Sequence, residues 1–369
     1  MGKQLAALED VVIAREFWSG KRVLLTGHTG FKGGWLALWL QRLGARVMGY
    51  SLPAPTQPSL FETARVSESI QGVIADVRDL ARLKAVFREF APEVVFHLAA
   101  QPLVRGSYDS PVETYSTNLL GTVHVLEAVR HSESVRGAVM VTTDKCYENR
   151  ESAKGYRETD RLGGHDPYSN SKACAELAVD SYRRSFFSDG GKAGIASARA
   201  GNVIGGGDWA VDRLIPDLVR AAVAGKPLVL RNPESTRPWQ HVLEPLGGYL
   251  LLGQRLWEER TRYAEAWNFG PREEDDRTVE EIVKLAAQRW DDKLKWTMGD
   301  ARQPRETVTL KLDCSKAAGA GWRPLLSVEQ AVDWTMEWYR AWRDKRDVKA
   351  LSLEQFERYE RLAAGERSR

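Results

Sequence analysis

The chain has 369 residues, enough for two domains or for one large domain with a smaller satellite. Its 53 basic and 50 acidic residues give a formal net charge of +3, so no charge excess indicates nucleic acid as a partner. No apolar run approaches the roughly 20 residues of a membrane span, and the N-terminus lacks a signal-peptide core. We therefore expect a cytoplasmic protein with no membrane or nucleic-acid partner.

The three cysteines, Cys146, Cys174 and Cys314, are far apart and lack the spacing of metal ligands. An odd number of cysteines without a secretion signal suits a reducing compartment. Cys146 follows Lys145 directly, so it is either a reactive thiol or a small buried apolar side chain. We predict no metal site.

Strand-like and helix-like segments alternate through the first half of the chain. Short apolar runs predict strands at 22–26, 45–50, 94–98, 138–142 and 194–199, and helical patterns lie between them, notably at 35–43 and 112–131. This alternation predicts βαβ units and a parallel sheet, and strands apolar on both sides predict helices on both faces. The fold class is therefore α/β, as a doubly wound parallel sheet of the Rossmann type.

The pattern weakens after the glycine-rich loop at 201–208. Candidate elements remain at 228–230, 242–252 and 266–269, and a separate helical region starts in the charged run at 273–277. The charged tail from Arg343 onward has helical spacing and is predicted to be a solvated surface helix.

The first predicted strand runs into a glycine-rich turn that opens a helix. Gly27 permits the tight turn, Gly30 lets a pyrophosphate approach the backbone, and Gly33 lets the helix pack closely on its strand. A glycine triplet alone is weak evidence for dinucleotide binding. Here, however, a strand precedes it and a helix follows it, which is the context that the motif requires. We predict dinucleotide binding at this turn.

The second strand ends without the usual signal for the adenosine ribose. Residues 49–52 offer neither a carboxylate for a ribose diol nor an Arg for a 2′-phosphate. Asp76, which follows the third strand, either accepts from the adenine amino group or only forms a turn.

Tyr168 and Lys172 are spaced i and i+4, which places both on one face of a helix. An ammonium beside a phenol favours the phenolate, so we expect the pKa of Tyr168 to fall below its ordinary value of about 10. Such a phenolate is a general base for a sugar or alcohol hydroxyl. Thr143, Asp144 and Lys145 follow an earlier strand and add a donor, an acid and an amine. The alternative, a surface lysine and a rim aromatic, is weakened by the nucleotide turn that precedes them.

A further motif surrounds Arg237, which stands beside Pro238 and Trp239. A rigidly held guanidinium suits a diphosphate, to which it can donate two hydrogen bonds. The alternative is a structural loop with an exposed salt bridge.

Together these residues resemble the extended short-chain dehydrogenase/reductase family, from about Lys21 to about Pro324. The most specific stretches are 141–149, 166–172, 200–209 and 237–242. Within that family they resemble the nucleotide-sugar 4,6-dehydratases. Where the dTDP-glucose enzymes carry Thr-Asp-Glu, this chain has Lys145 as the third residue, which is similar to the CDP-glucose subgroup, as is the pair Asp208-Trp209.

The resemblance implies a three-step reaction of CDP-glucose on bound NAD. Tyr168 takes the proton of the 4-hydroxyl, helped by Thr143, while C4 gives a hydride to NAD⁺. A base near Lys145 then removes the C5 proton while Asp144 protonates the departing 6-hydroxyl. Return of the hydride to C6 gives CDP-4-keto-6-deoxyglucose. Lys145 is either that base, which requires a lowered pKa, or a cation that stabilises the enolate oxygen.

The resemblance also implies three groups of site residues. The catalytic group is Thr143, Asp144, Lys145, Tyr168 and Lys172. The NAD contacts are Gly27, Thr29, Gly30, Phe31, Lys32, Gly33, Asp76, Val77, Leu98, Ala99, Ala100, Asn118, Thr142, Tyr168 and Lys172. The contacts to the nucleotide sugar are Gln101, Arg105, Asn202, Asp208, Trp209, Arg213, Leu214, Arg237, Trp239, His241 and Arg305.

We expect an NAD-binding domain over 20–198, to which 240–270 returns, a smaller C-terminal substrate-binding domain made of 199–239 and 271–345, and a charged helical tail over 346–369. The family pairs two long helices, here Val112 to His131 and Tyr168 to Phe187, across a two-fold axis. A homodimer with a four-helix bundle follows, unless the outer faces of these helices stay solvated.

Two other functions compete with the dehydratase. A nucleotide-sugar 4-epimerase or reductase would need Tyr168 and Lys172 but no acid for the loss of water, so Thr143-Asp144-Lys145 favours the dehydratase. A cofactor-binding sensor with an inactive site is disfavoured by the intact Tyr168 and Lys172.

Overall fold

The computed structural model describes residues 13–150, 154–188, 191–230, 232–290, 294–298 and 310–365. Arg305, which was predicted to contact the nucleotide sugar, lies outside the described residues.

The strands in the described ranges are β1 (Arg22–Thr26), β2 (Arg46–Ser51), β3 (Gln71–Ile74), β4 (Val94–His97), β5 (Gly137–Val141), β6 (Gly194–Arg199), β7 (Val203–Ile204), β8 (Leu228–Leu230), β9 (Thr236–Pro238), β10 (Gln240–His241), β11 (Ala266–Asn268), β12 (Asp276–Thr278) and β13 (Trp296–Met298). The α-helices are α1 (Arg15–Trp18), α2 (Phe31–Arg42), α3 (Leu60–Thr63), α4 (Leu80–Phe90), α5 (Val104–Asp109), α6 (Pro111–Tyr115), α7 (Gly121–Arg130), α8 (Pro167–Phe186), α9 (Leu214–Val223), α10 (Leu243–Glu258), α11 (Arg260–Tyr263), α12 (Val279–Gln288), α13 (Ser315–Gly319), α14 (Val328–Arg343) and α15 (Val348–Ala363).

A seven-stranded sheet forms the centre of the molecule, in the order β11-β6-β5-β4-β1-β2-β3. Every neighbouring pair in it is parallel. Alternate side chains of β1 enter different clusters, with Val23 and Leu25 in one and Leu24 in the other. Helices therefore cover both faces, and the predicted Rossmann-type fold is confirmed.

Two apolar layers sandwich the sheet. On one side pack the buried faces of α2, α10, α14 and α15, and on the other those of α4, α7 and α8. Because all strands of the sheet run the same way, the loops after β1, β4, β5 and β6 emerge at one edge. Ligands of open α/β sheets bind at this carboxyl edge, close to the point where the strand order reverses.

The chain beyond β6 also builds three small two-stranded sheets, which pair β7 with β10, β9 with β12 and β8 with β13. Between them, α10 packs on β4, β5 and β6, and β11 extends the edge of the large sheet. The division into two domains with the boundaries given above stays a prediction.

The charged tail corrects one expectation. The helix α15 is exposed on one side, but Phe356 and Tyr359 on its other side are buried. The Phe356 ring stacks on Trp39 of α2 with 5.2 Å between ring centroids, and the Trp39 indole donates to Glu360 at 2.9 Å. Charged residues mark the outer face of this helix, and its buried apolar stripe is what fixes it to the Rossmann helix α2.

The two long helices predicted over 112–131 and 168–187 are present with a modification. The first is α6 and α7 joined by a π-helical turn at Ser116–Leu120, and the second is α8, which packs beside them. The π turn carries Asn118, whose amide donates to Ser171 Oγ at 2.9 Å and so ties the two helices together. Among the helices in the described ranges, none has both the length and the apolar character of a bilayer span.

Candidate functional site

A cleft of about 1180 Å³ opens at the carboxyl edge of the sheet. Its walls come from the loops after β1, β3, β4, β5 and β6, the start of α8, and the segment from 200 to 217. The structure brings most of the predicted site residues together here: Gly27, Thr29, Gly30, Phe31, Lys32, Gly33, Asp76, Val77, Leu98, Ala99, Ala100, Arg105, Thr142, Thr143, Asp144, Lys145, Tyr168, Lys172, Asn202, Asp208, Trp209, Arg213, Leu214, Arg237 and Trp239.

The glycine turn after β1 leaves no room for side chains. Gly27 has φ of +78°, and a Cβ atom on it would lie 2.7 Å from the backbone nitrogen of Ala99. A Cβ atom on Gly33 would lie 2.0 Å from the carbonyl oxygen of Gly27. The backbone N–H groups at the start of α2 therefore face the cleft with no side chain between them and a ligand. This is the arrangement that binds a pyrophosphate. The residues present fit a dinucleotide.

Hydroxyl groups occupy the end of β2, where the usual ribose-binding acid is missing. Thr29 Oγ1 and Ser51 Oγ lie 2.8 Å apart, and Thr29 also donates to the carbonyl of Leu52 at 2.9 Å. The Asp76 carboxylate accepts from the backbone N–H and the guanidinium of Arg78, which hold the pKa of that carboxyl below its usual value. The turn-forming role of Asp76 is thus realised, and a contact to adenine stays a prediction.

The first turn of α8 presents Tyr168 and Lys172 to the cleft. Asp166 caps the helix by accepting from the Ser169 N–H at 2.9 Å, and Pro167 occupies its first turn. The Tyr168 N–H donates to Ser107 Oγ at 3.1 Å, and the Lys172 ammonium donates to the Val141 carbonyl at 3.3 Å. The backbone of Tyr168 is thus held by α5, and the side chain of Lys172 by the end of β5.

The expected lowering of the Tyr168 pKa is wrong for this structure. Burial raises the pKa of Tyr168 to about 12, and the charge of Asp144 adds to the rise, although a hydrogen bond with Thr143 opposes it. Burial likewise lowers the pKa of Lys172 to about 8. The i, i+4 spacing implied an ammonium beside the phenol, but the Lys172 amine bonds a backbone carbonyl, so desolvation of the phenol dominates.

Asp144 lies just after β5 in a 3₁₀ turn and is only 1% exposed. Thr143 Oγ1 donates to Asp144 Oδ1 at 2.9 Å and accepts from the Lys145 N–H at 3.3 Å. The second oxygen, Oδ2, has no hydrogen-bond partner among the described residues. Gly201 lies directly against this carboxyl group. A buried carboxyl with one oxygen held and the other unpaired is suited to carry and release a proton.

Lys32 was predicted only as a cofactor contact, yet its amine is held near the reacting groups. Burial lowers the pKa of Lys32 to about 7, and the charges of Arg213 and Lys172 lower it further, while Asp144 and Asp208 act in the opposite direction. An amine that titrates near neutrality on the wall of the cleft can bind or release a proton during a reaction.

A buried ion pair supports Thr142, the residue that directly follows β5. Arg199 and Glu176 lie 2.8 Å apart and are both 3% exposed, and Glu176 also accepts from Thr142 and Ser197. Sequence reasoning missed this network, because its members are dispersed along the chain with no local pattern. Cys146 lies beside it, fully buried, and burial raises the pKa of its thiol well above the usual range, which fits the buried alternative.

The opposite wall of the cleft carries paired charges. Arg213 lies 2.8 Å from Asp208, and Arg105 lies 3.3 Å from Asp212. Arg237 and Trp239 lie at the end where the cleft meets β9, and the Trp239 indole donates to the backbone of residue 277 at 3.2 Å. Three guanidinium groups thus face a single cleft.

Of the predicted site residues that the structure describes, three do not line the cleft. Gln101 donates to the Leu103 carbonyl at 3.1 Å within its own loop, and Asn118 is fully buried against that loop. His241 is fully buried between Trp35 and Trp334, and burial lowers its pKa to about 3. All three are polar residues within or beside site motifs, but their hydrogen bonds and packing serve the scaffold.

A second cavity, of about 1030 Å³, is formed by segments within 148–161, 238, 271–276 and 311–324. It contains none of the predicted site residues that the structure describes. In the described part of the chain, no group of three or more His, Cys, Asp or Glu side chains could hold a metal ion.

Comparison with known proteins adds four findings. The family described as GDP-mannose 4,6 dehydratase matches residues 24–335. The CDP-glucose 4,6-dehydratase of Salmonella typhimurium is 50% identical over 353 residues, which cover 94% of this chain and 98% of that protein. The UDP-glucose 4-epimerase of Thermus thermophilus, solved with NAD, is 25% identical with a TM-score of 0.75, covering 86% and 99% of the two chains. The dTDP-glucose 4,6-dehydratase of Bacillus anthracis, also solved with NAD, shares the fold at 21% identity, with a TM-score of 0.73 and coverage of 90% and 100%.

Proposed function

Because the chain belongs to the GDP-mannose 4,6-dehydratase family, we propose that it is a CDP-glucose 4,6-dehydratase, a lyase that converts CDP-glucose to CDP-4-keto-6-deoxyglucose and water. The observation that carries this proposal is 50% identity to such an enzyme over nearly the full length of both chains. The cleft supports it, since it combines a dinucleotide turn, a buried Tyr168 with Lys172, and a buried acid at Asp144.

The cofactor is NAD, which supplies the hydride acceptor for C4 and the hydride donor for C6. The glycine turn and α2 would hold its pyrophosphate, and the residues after β4 and β5 would line its nicotinamide half. Lys172 would hold the nicotinamide ribose, and the bond of its amine to the end of β5 supports this role. Asn118 acts on this half of the site only indirectly, by shaping the loop after β4.

Tyr168 is the base that takes the proton of the 4-hydroxyl, and Thr143 shares the charge on the 4-oxygen. Since the phenol must be ionised for this role, the cost of burial has to be offset by the charge of Lys172 and by the positive charge that bound NAD⁺ would supply. Asp144 then protonates the departing 6-hydroxyl: its O–H bond breaks, the proton joins the leaving oxygen, and water and a carboxylate result.

Lys145 lines the cleft beside Thr143 and is the candidate base for the C5 proton. If it remains an ammonium, it stabilises the enolate oxygen instead. The variant Lys145→Arg separates the two roles, because a guanidinium keeps the positive charge but cannot act as a base. When the reaction is run in D₂O, loss of deuterium incorporation at C5 with C4 oxidation intact indicates the base, whereas continued incorporation at C5 indicates the stabilising cation.

The nucleotide sugar would be held by the guanidinium groups of Arg105, Arg213 and Arg237, which suit a diphosphate. Asn202 and Leu214 line the same wall, beside the pair Asp208-Trp209. Gln101 and His241 do not line the cleft and would act on the substrate only through neighbouring residues. We place the enzyme in the cytoplasm, where nucleotide sugars are made.

The deciding experiment is incubation of the purified protein with CDP-glucose and no added NAD. A 4-ketosugar that absorbs in alkali, formed without net NADH, is the expected result, because NAD is regenerated in each turnover. Matched incubations with dTDP-glucose and UDP-glucose test which nucleotide base the enzyme prefers. Faster ketosugar formation from either would contradict the CDP assignment, and formation of the 4-epimer without ketosugar would assign an epimerase.

A homodimer through a four-helix bundle is part of the proposal. The helices α6 to α8 expose apolar side chains on their outer faces, with Val112 82%, Leu120 50% and Leu177 59% exposed. Clusters of this kind on neighbouring helices are typical of interaction surfaces. A C2 axis would bring the same helices of two subunits together.

A further inference from the structure

Tyr249 of α10 has a buried hydroxyl that forms no hydrogen bond within the described residues. The side chain is 0% exposed, and its ring packs edge-on against Phe269 with 5.7 Å between centroids. Nearly all buried polar groups in proteins are paired, because an unpaired one loses its hydrogen bonds to water without replacement. A phenylalanine would fill the same space without that loss. We therefore expect the Tyr249 hydroxyl to have a hydrogen-bond partner at some stage of the reaction.

The Tyr249 side chain lies near the reacting groups of the cleft. The helix α10 packs on β5, and Thr143 and Asp144 follow that strand. The Lys32 amine, on the wall of the cleft, is 6.0 Å from the centre of the Tyr249 ring. Burial raises the pKa of the Tyr249 phenol above its usual range, and the nearby charges of Tyr168 and Asp144 add to the rise. Tyr249 is therefore a neutral donor near Tyr168 and Asp144.

The atom that this donor can serve is Asp144 Oδ2. It too is buried and has no partner in the described part of the chain, whereas Oδ1 is already held by Thr143. The other titratable groups whose charges interact with Asp144 are Lys32, Cys146 and Tyr168. Cys146 is not a competing donor of comparable strength, since a thiol donates only weakly. The Tyr249 hydroxyl is thus an unpaired buried donor, and Asp144 Oδ2 is an unpaired buried acceptor that belongs to the acid of the elimination step.

We propose that Tyr249 is a positioning residue for the elimination, whose hydroxyl donates a hydrogen bond to the carboxylate that Asp144 becomes when it releases its proton. The inference rests on the proposed dehydratase function. In that step the O–H bond of Asp144 breaks and its proton joins the departing 6-hydroxyl. The carboxylate left behind is a stronger acceptor than the acid, so the bond to Tyr249 is strongest when the proton is lost. An interaction that strengthens along the reaction lowers the barrier.

The test is Tyr249→Phe, followed by stopped-flow absorbance with NAD-loaded enzyme and CDP-glucose. Formation of bound NADH, which reports C4 oxidation, should be unchanged. Its decay and ketosugar formation should slow by about 10- to 100-fold, the effect of losing a hydrogen bond to a charged group.

Thermal unfolding separates this role from a structural one. Removal of an unpaired hydroxyl should leave the Tm of Tyr249→Phe equal to or above that of the wild type. The matched control is Tyr359→Phe, which removes a buried phenol that does have a partner, the Glu244 carboxyl at 2.9 Å. That control should lower Tm and leave the elimination rate unchanged.

Each contrary outcome overturns the proposal. An unchanged elimination rate in Tyr249→Phe shows that Asp144 does not use the hydroxyl, and a lowered Tm shows that the hydroxyl has a structural partner. A wild-type protein that makes no ketosugar from CDP-glucose removes the dehydratase function as well. If the wild type turns over normally and Tyr249→Phe has the same elimination rate, only the role of Tyr249 is removed and the dehydratase function stands.

Discussion

The carboxyl group of Asp144 occupies the space in which a side chain at position 201 would begin. A Cβ atom built on Gly201 would lie 1.8 Å from Asp144 Oδ2 and 2.0 Å from Asp144 Cγ. The φ angle of Gly201 is not positive, so the backbone there would accept other residues. The missing Cβ atom at residue 201 is thus what lets the acid lie flat against the loop after β6.

Gly201→Ala should therefore displace Asp144 and slow the elimination. We expect ketosugar formation to fall on the order of 10²–10⁴-fold, the range for losing a general acid, while NAD stays bound. Ketosugar absorbance in alkali is the measurement. The control Gly319→Ala adds the same methyl group where a Cβ atom would meet nothing within 4 Å, and should be silent. Equal activities in both variants would show that Asp144 is not the acid or can act from another position.

Asp144→Asn should stop the reaction after C4 oxidation. The amide keeps the shape of the side chain and can still interact with Thr143, but it has no acidic proton to give to the 6-hydroxyl. Bound NADH should accumulate in a single turnover, and product formation should fall roughly 10²–10⁴-fold. Turnover near the wild-type rate, with no NADH signal, would remove Asp144 from the mechanism.

Tyr168→Phe should abolish the first step. Phenylalanine leaves no base for the 4-hydroxyl, so no bound NADH forms even though NAD remains bound. In the wild type, C4 oxidation should accelerate as pH rises toward the Tyr168 pKa, which burial raises and positive charge in the loaded site opposes, because only the phenolate acts as a base. Lys172→Met, in contrast, should also weaken NAD binding, as measured by cofactor content. Normal NADH formation in Tyr168→Phe is the contrary outcome.

Glu244 should make the stability of the fold depend on pH. The side chain is 1% exposed, and burial raises its pKa from 4.5 to about 7 although it accepts from two backbone N–H groups. The raised value means that the folded state prefers the protonated form, so the stabilisation is full below pH 4.5 and is lost as pH rises toward 7. The loss amounts to about 3 kcal/mol.

Urea unfolding at a series of pH values checks this prediction. The variant Glu244→Gln keeps an acceptor for Tyr359 but cannot ionise, so its free energy of unfolding should change less between about pH 5 and about pH 7. The wild-type curve minus the variant curve isolates the contribution of this carboxyl group. Parallel curves would mean that Glu244 does not titrate in this range.

Leu177→Glu tests the proposed dimer. Leu177 is 59% exposed on the outer side of α8, so a charge there should cost the monomer little. In a helical bundle interface the same charge would be buried and unpaired, which strongly disfavours association. Light scattering should give a dimer mass for the wild type and a monomer mass for the variant. A monomeric wild type with full activity would contradict the bundle.

Local patterns were sufficient for the frame of this protein. The strand, glycine turn and helix at 22–42 are adjacent in sequence, and the spacing of Tyr168 and Lys172 places both on one turn of α8. Alternating strands and helices imply a parallel sheet, and a parallel sheet brings the loops after its strands to one edge. The cleft and most of its residues follow from these short-range rules.

Other features depend on how distant segments pack. Gly201 meets Asp144 and Tyr249 comes to lie near it because different strands and helices converge, and no local spacing encodes that distance. His241 stands within a site motif, yet its ring points into a tryptophan cluster. The pKa of Tyr168 is raised, contrary to the expectation, for the same reason. The spacing of charged residues along a helix is visible in the sequence, but the desolvation of a side chain depends on all the residues that bury it, and these come from distant segments.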